Sequence, residues 1–159
     1  LLLTAALLLA AVDADRPPPH LWVGLDVSGG ARVQGDASAL FAGSLELGFA
    51  PSESLRFQVA AGGVWEGTAA SGSRGGYRLL AGGEALVHQW WGHAFAGVMG
   101  GAFTTLATWA PMGQVRAGLD ITLALPVYLG LQLSYGLAVP GSGALLHFAE
   151  LGGRVGLAW

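Results

Sequence analysis

Seven basic residues, ten acidic residues and four histidines are the groups in this chain that could move protons or hold ions. His147 has Ser142 before it and Glu150 after it. These are the residue types of a nucleophile, a general base and an orienting carboxylate, as an acyl-transfer or hydrolytic site would need. In an extended chain, however, residues three apart point to opposite sides. Glu150 therefore cannot orient His147, and the sequence contains no His-x-Ser pair. His147 reads as an interfacial polar residue. His88 and His93 stand five apart around "QWWG" and could touch one metal ion. No carboxylate lies near them in sequence, so they read as turn polarity. The Gly-Gly pairs at 62–63, 82–83, 100–101 and 152–153 do not open a helix, so they are not phosphate loops. They suit relief of crowding or strand curvature. No catalytic, metal-binding or cofactor-binding residue is predicted, and no cofactor.

The other charges follow a different logic, visible only with the elements that carry them. From residue 20 onward, large apolar residues alternate with small or polar ones, the period of a β-strand. "LWVGLDVS" sets Leu21, Val23, Leu25 and Val27 against Asp26 and Ser28. "LFAGSLELGFA" sets Phe41, Leu45, Leu47 and Phe49 against Ser44 and Glu46, and "LRFQVAAGGVW" sets Leu55, Phe57, Val59 and Trp65 against Arg56 and Gln58. "GYRLLAGGEALVH" puts Tyr77, Leu79 and Val87 opposite Arg78 and Glu84, with Leu80 and Leu86 on the charged side. "HAFAGVMGGAF" carries no charge, and bulk alone assigns Phe95, Met99 and Phe103 to its greasy face. "QVRAGLDITLAL", "VYLGLQLSYGL" and the closing "LGGRVGLAW" complete eight segments. No stretch beyond residue 20 has a helical period.

Nine charges fall inside these segments: Asp26, Glu46, Arg56, Arg78, Glu84, Arg116, Asp120, Glu150 and Arg154. All nine lie opposite the large apolar residues. If the greasy faces formed the core of a soluble barrel, the outside would carry too few charges, since soluble surfaces are about 25–35% charged. The whole chain is 11% charged and 53% hydrophobic, with 27 glycines and no lysine. If the greasy faces meet lipid, the small residues fill a narrow lumen and its arginines pair with its acids. An arginine facing hydrocarbon would cost about 2–4 kcal/mol near the bilayer midplane, so charges belong inside. A helical membrane protein is the rival, because Gly92 to Ala110 is uncharged. Pro111, Pro126 and Pro140 interrupt the apolar runs, and leucines at odd positions from 119 to 137 keep a strand spacing. The net charge of −3 leaves no basic surface for nucleic acid. No cysteine is present, so disulfides and Cys-held metals are excluded.

Aromatic residues mark the strand ends. Phe49, Phe57, Trp90, Trp91, Phe95 and Trp159 cluster at the ends joined by short connections. Phe41, Trp65, Tyr77, Phe103 and Tyr135 cluster at the ends joined by long ones. Two girdles around an aliphatic band are expected of residues at two membrane–water interfaces. At the start, "LLLTAALLLAAVDA" has the apolar run and small-residue cleavage site of a signal peptide over residues 1–14. It is too short to span a bilayer as a helix. Residues 15–19 read as a Pro-rich periplasmic spacer, and residues 20–159 as the barrel.

The fold class is therefore all-β: an eight-stranded antiparallel up-and-down transmembrane barrel. Eight alternating segments, a leader, long and short connections in turn and an aromatic last residue together resemble the small bacterial outer-membrane barrels of the OmpA and OmpX type. The terminal strand fits their ending loosely, through Gly153, Leu157 and Trp159. The resemblance implies an outer-membrane location, contact with outer-membrane lipids and recognition of the last strand by the barrel-assembly machinery. An eight-stranded barrel has an interior just wide enough for side chains. A plugged lumen and a structural or surface-interaction role are expected, with no enzymatic activity. The alternatives are a lipid-modifying enzyme or a narrow channel. The long loops name no ligand. Arg154 is expected beside Glu150 and Asp26, and the last strand beside the first.

Overall fold

In the computed structural model, residues 21–33, 38–68, 72–104, 109–124, 126–140, 143 and 145–159 are described. The leader and the spacer lie outside them. Eight strands follow one another: β1 Leu21–Arg32, β2 Ser38–Ser52, β3 Leu55–Thr68, β4 Gly72–Gln89, β5 Gly92–Thr104, β6 Trp109–Ala124, β7 Val127–Ala138 and β8 Leu146–Ala158. Each pairs antiparallel with the next, and β8 pairs with β1, so the sheet closes into a barrel. The seam is well made: Leu21 N–H donates to the Trp159 carbonyl at 2.9 Å and Trp159 N–H to the Leu21 carbonyl at 3.1 Å. Closure leaves no unpaired strand edge. Of the uncharged stretch Gly92 to Ala110, considered as a helix, Gly92–Thr104 is β5 and Trp109 and Ala110 begin β6.

Polarity is inverted relative to a water-soluble domain. Asp26, Glu46, Arg56, Arg78, Glu84, Arg116, Asp120, Glu150 and Arg154 are all buried in the lumen. Leucine, valine and aromatic residues cover the outside, with Leu131 66% and Leu133 63% exposed. Inward positions are even-numbered on every strand except β5, where they are odd. The cause is the two-residue turn Trp90–Trp91, across which Gln89 pairs with Gly92 and His88 with His93. Pairing across it joins an even position to an odd one, and the β5–β6 pairing, His93 with Asp120, reverses the change.

This corrects part of the aromatic assignment. Phe95 and Phe103 are not in the girdles; they are 4% exposed and point into the lumen, as does Met99. Bulk misleads on β5 because it carries no charge to set its frame, and a narrow lumen also needs large side chains as filling. Trp22, Tyr128 and Phe148 are likewise inside. The exterior aromatics at the short-turn end include Phe49, Phe57, Trp90 and Trp159; at the loop end they include Phe41, Trp65, Tyr77, Trp109 and Tyr135. Trp91 is half-buried.

Candidate functional site

The lumen is built in layers, which the strands position by simple alternation. Toward the loop end, Leu40, Val64, Leu80, Met99, Phe103, Met112 and Phe148 form an apolar layer with Ala42, Ala60 and Ala138. The rings of Phe103 and Phe148 meet at a tilt of 57°, with centroids 5.5 Å apart. At the short-turn end Trp22, Tyr128 and Ala158 form a second apolar group. Trp22 lies edge-on to His93 at 4.8 Å and to Tyr128 at 5.1 Å. The nine charges occupy the space between.

Glu84 is the hub of the charged layer. It accepts hydrogen bonds from Arg56 Nε at 2.9 Å, Gln58 Nε2 at 2.8 Å and Arg116 Nε at 2.5 Å, and from Arg56 Nη2. Arg116 Nη1 also donates to Glu46 at 2.6 Å, and its Nη2 to Gln58. Arg154 grips Asp120 through Nε at 2.6 Å and through Nη2, and reaches Glu46 at 3.5 Å. Arg78 Nη1 bridges both oxygens of Glu150 at 3.0 and 2.9 Å, and Nη2 donates to Ser44 at 3.3 Å. Ser28 donates to Glu150 at 2.6 Å. Arg56 and Arg154 also lie over aromatic faces, Arg56 4.4 Å from Trp22 and Arg154 3.9 Å from Phe95. Such contacts compensate part of the cost of taking guanidinium out of water.

Arg154 does not pair with its neighbour Glu150 or with Asp26 through its side chain. Arg56 and Glu84 are cross-strand neighbours, but the other arginines meet partners two or four strands away, and the pairs two strands apart cross over residues that leave room. Gly97 lies between Glu84 and Arg116, and Gly130 between Asp120 and Arg154. A Cβ on Gly97 would strike the Gly83 carbonyl and come within 2.6 Å of Glu84 Cγ; on Gly130 it would strike Asp120 Oδ1 and approach Arg154 Cγ to 2.8 Å. In each Gly-Gly pair, one member faces inward and the other outward.

Sequence reasoning missed two groups. His93 is buried, with Nε2 2.8 Å from Asp120. Its carboxylate is far away in sequence but adjacent across the β5–β6 pairing. His88 stays exposed, its ring 5.4 Å from that of His93. Arg32 and Glu66, which fall outside the eight alternating segments, sit at the ends of β1 and β3 and form a partly buried ion pair at 3.2 Å, with Ser38 donating to Glu66 at 2.5 Å. Outside, His147 Nδ1 and the Tyr135 hydroxyl share a hydrogen bond of 2.5 Å. Glu150 faces the lumen instead, and Ser142 lies outside the described residues. Among the described residues, no cluster of three or more His, Cys, Asp or Glu could hold a metal ion.

Between the charged and upper apolar layers is a cavity of about 10 Å³, bounded by Arg78 and Glu150 on one side and Leu40, Phe103, Met112 and Phe148 on the other. That is room for about one water. A closed sheet, apolar outside, with a lumen packed by ion pairs and aromatic layers is the arrangement for which a bilayer is the natural solvent. The chain has the fold of the small outer-membrane barrels. No protein-family model and no curated protein matches its sequence. Among solved structures, it is similar to Neisserial surface protein A (NspA), with 14% identity, 87% of this chain and 97% of that chain covered and a TM-score of 0.70. A de novo designed transmembrane β-barrel matches at 19% identity, covering 88% and 98%, with a TM-score of 0.50. The N-terminal barrel domain of Pseudomonas aeruginosa OprF matches at 13% identity, covering 85% and 96%, with a TM-score of 0.46.

Proposed function

We propose that this barrel is an outer-membrane protein whose lumen is closed by its own side chains, and that it acts as a structural or surface-interaction element rather than as a porin or an enzyme. The observation that carries this is the inverted polarity: nine buried charges inside, and leucine, valine and aromatic side chains outside. In water such an exterior would aggregate; in lipid it is matched. NspA, whose fold the chain shares, is called a surface protein, which agrees with loops presented outward. Residues 1–14 would direct export, and the terminal strand through Trp159 would be read by the barrel-assembly machinery. The outer aromatic residues would sit at the two lipid interfaces.

The decisive experiment is fractionation with gel mobility. The protein should co-sediment with outer membranes and run faster unboiled than boiled in detergent. In planar bilayers the refolded protein should give no large, stable conductance. Recovery in the soluble fraction, or a steady open-channel current, would overturn the proposal. The lipid-modifying alternative finds little support in the described residues, because His147 is held by a phenol rather than by a carboxylate. Expression should leave the lipid A mass unchanged.

A further inference from the structure

The carboxylates and guanidiniums of the charged layer do not balance. Among the described residues, and besides the ring of His93, which faces Asp120, the layer holds five carboxylates, Asp26, Glu46, Glu84, Asp120 and Glu150, against four guanidiniums, Arg56, Arg78, Arg116 and Arg154. An uncompensated charge in a sealed, low-dielectric lumen is costly, and such a group neutralises itself instead. The contacts show which carboxylate is the surplus one. Glu46, Glu84 and Asp120 are each approached by two arginines. Glu150 takes both oxygens to Arg78 and accepts from Ser28 as well. Asp26 has only Arg78 Nη2, at 3.6 Å, beyond hydrogen-bond distance, and Arg78 is already committed to Glu150.

A second observation, independent of the charge count, falls on the same side chain. Gln132 Nε2 donates to Asp26 Oδ2 at 2.7 Å. The remaining oxygens of this one pair, Asp26 Oδ1 and Gln132 Oε1, are both buried acceptors without a hydrogen-bond partner. A carboxylate facing an amide leaves both unsatisfied; a carboxylic acid facing an amide satisfies both, through a reciprocal pair of N–H···O and O–H···O bonds. We infer that Asp26 is a proton-binding site: in the folded barrel it is a neutral carboxylic acid whose O–H donates to Gln132 Oε1. One proton then completes the hydrogen bonding of the pair and brings the charged layer to four against four. The groups around it are consistent with this. Arg78 of β4 gives Nη1 to Glu150 and Nη2 to Ser44, and its Nε has no hydrogen-bond partner; Arg116 of β6 gives its donors to Glu84, Glu46 and Gln58, and Arg154 of β8 to Asp120 and Glu46. Glu46 of β2 and Glu150 of β8 add negative charge nearby, and Ser44 of β2 and Gln132 of β7 are neutral. The site depends on closure of the barrel alone, whatever its biological role.

The test is infrared spectroscopy of the refolded barrel in detergent at neutral pH, paired with Asp26→Asn. The asparagine amide can make the same two bonds to Gln132, so this variant should fold and keep its heat-dependent gel mobility. The wild type should show the carbonyl-stretch band of a protonated carboxylic acid, and Asp26→Asn should lack it. Linkage supplies a second readout. A carboxyl that holds its proton when folded and releases it when unfolded makes stability fall as pH rises above its unfolded value, about 4. Relative to Asp26→Asn, the wild-type folding equilibrium should therefore weaken up to tenfold per pH unit above that point. Absence of the acid band at neutral pH would overturn the inference. So would an Asp26→Asn variant that cannot fold, parallel pH profiles for the two proteins, or a wild-type stability that rises specifically with sodium concentration, which would place a metal cation at the site instead.

Discussion

β5 and β7 each carry no charged residue, and each passes beneath an ion pair formed by its two neighbours. Above β5 the Glu84–Arg116 pair crosses Gly97, and above β7 the Asp120–Arg154 pair crosses Gly130. Yet the two strands are turned opposite ways. β7 sends its leucines outward and keeps Gln132, Ser134 and Gly136 inside; β5 sends Phe95, Met99 and Phe103 inward and shows alanine, Val98 and Gly100 outside. Bulk does not decide which face of a barrel strand meets lipid. Register with the neighbours decides it, and the large inward side chains fill the lumen both in its apolar layers and against the guanidiniums.

Substitutions on these two strands can sharpen or break that contrast. The largest effect is expected for Phe103→Ala, about 3–5 kcal/mol in denaturant unfolding of the refolded barrel, because it opens a cavity against Phe148. A loss only a small fraction of that would mean that Phe103 faces lipid after all. Next come Val98→Arg on β5 and Leu133→Arg on β7, each placing a guanidinium in the lipid-facing belt at a cost of about 2–4 kcal/mol. Equal penalties would show that both residues point outward despite their different size. Smaller again are Gly97→Ala and Gly130→Ala, in the range of about 1–3 kcal/mol for overpacking. Gly97→Ala should be the worse of the two, since its methyl group meets the Gly83 backbone, whereas that on Gly130 meets movable side chains. Gly130 proving the more sensitive would break the comparison at the ion pairs. The least effect is expected for Tyr135→Phe, about 0.5–1.5 kcal/mol from one hydrogen bond to His147, read as a small shift in the midpoint of heat-dependent gel mobility.

Six of the eight strands declare their inner face through a charge, and on β4 Arg78 and Glu84 correctly outweigh Leu80 and Leu86, which lie in the lumen beside them. β7 has no charge but has Gln132 and Ser134 in alternation, which is enough. β5 offers only His93 as a buried polar residue, a weak signal beside three large apolar ones. The turn in "QWWG" holds part of the missing information. A two-residue turn without a bulge joins positions of opposite parity, as Trp90 and Trp91 do between Glu84 and Gly97; at Glu53 and Ser54 a bulge between Phe49 and Ser52 restores the parity, and turn length alone does not tell the two cases apart. What alternation could not supply is the choice of partners within the lumen. It places Arg154 beside Asp26 and Glu150, yet Arg154 binds Asp120 while Arg78 takes Glu150. Strand tilt and the reach of arginine join residues two or more strands apart, and neither is written in the spacing of any one strand.

The chain contains no lysine, and four of its arginines are walled inside the barrel. Trypsin, which cuts after those two residue types alone, therefore meets only Arg32 and Arg74 besides those four among the described residues. Along the described strands Arg74, at the exposed loop end of β4, is the most open of them. The ion pairs that fill the lumen thus also hide the chain from digestion, and resistance to this one protease becomes a simple gauge of whether the barrel has closed.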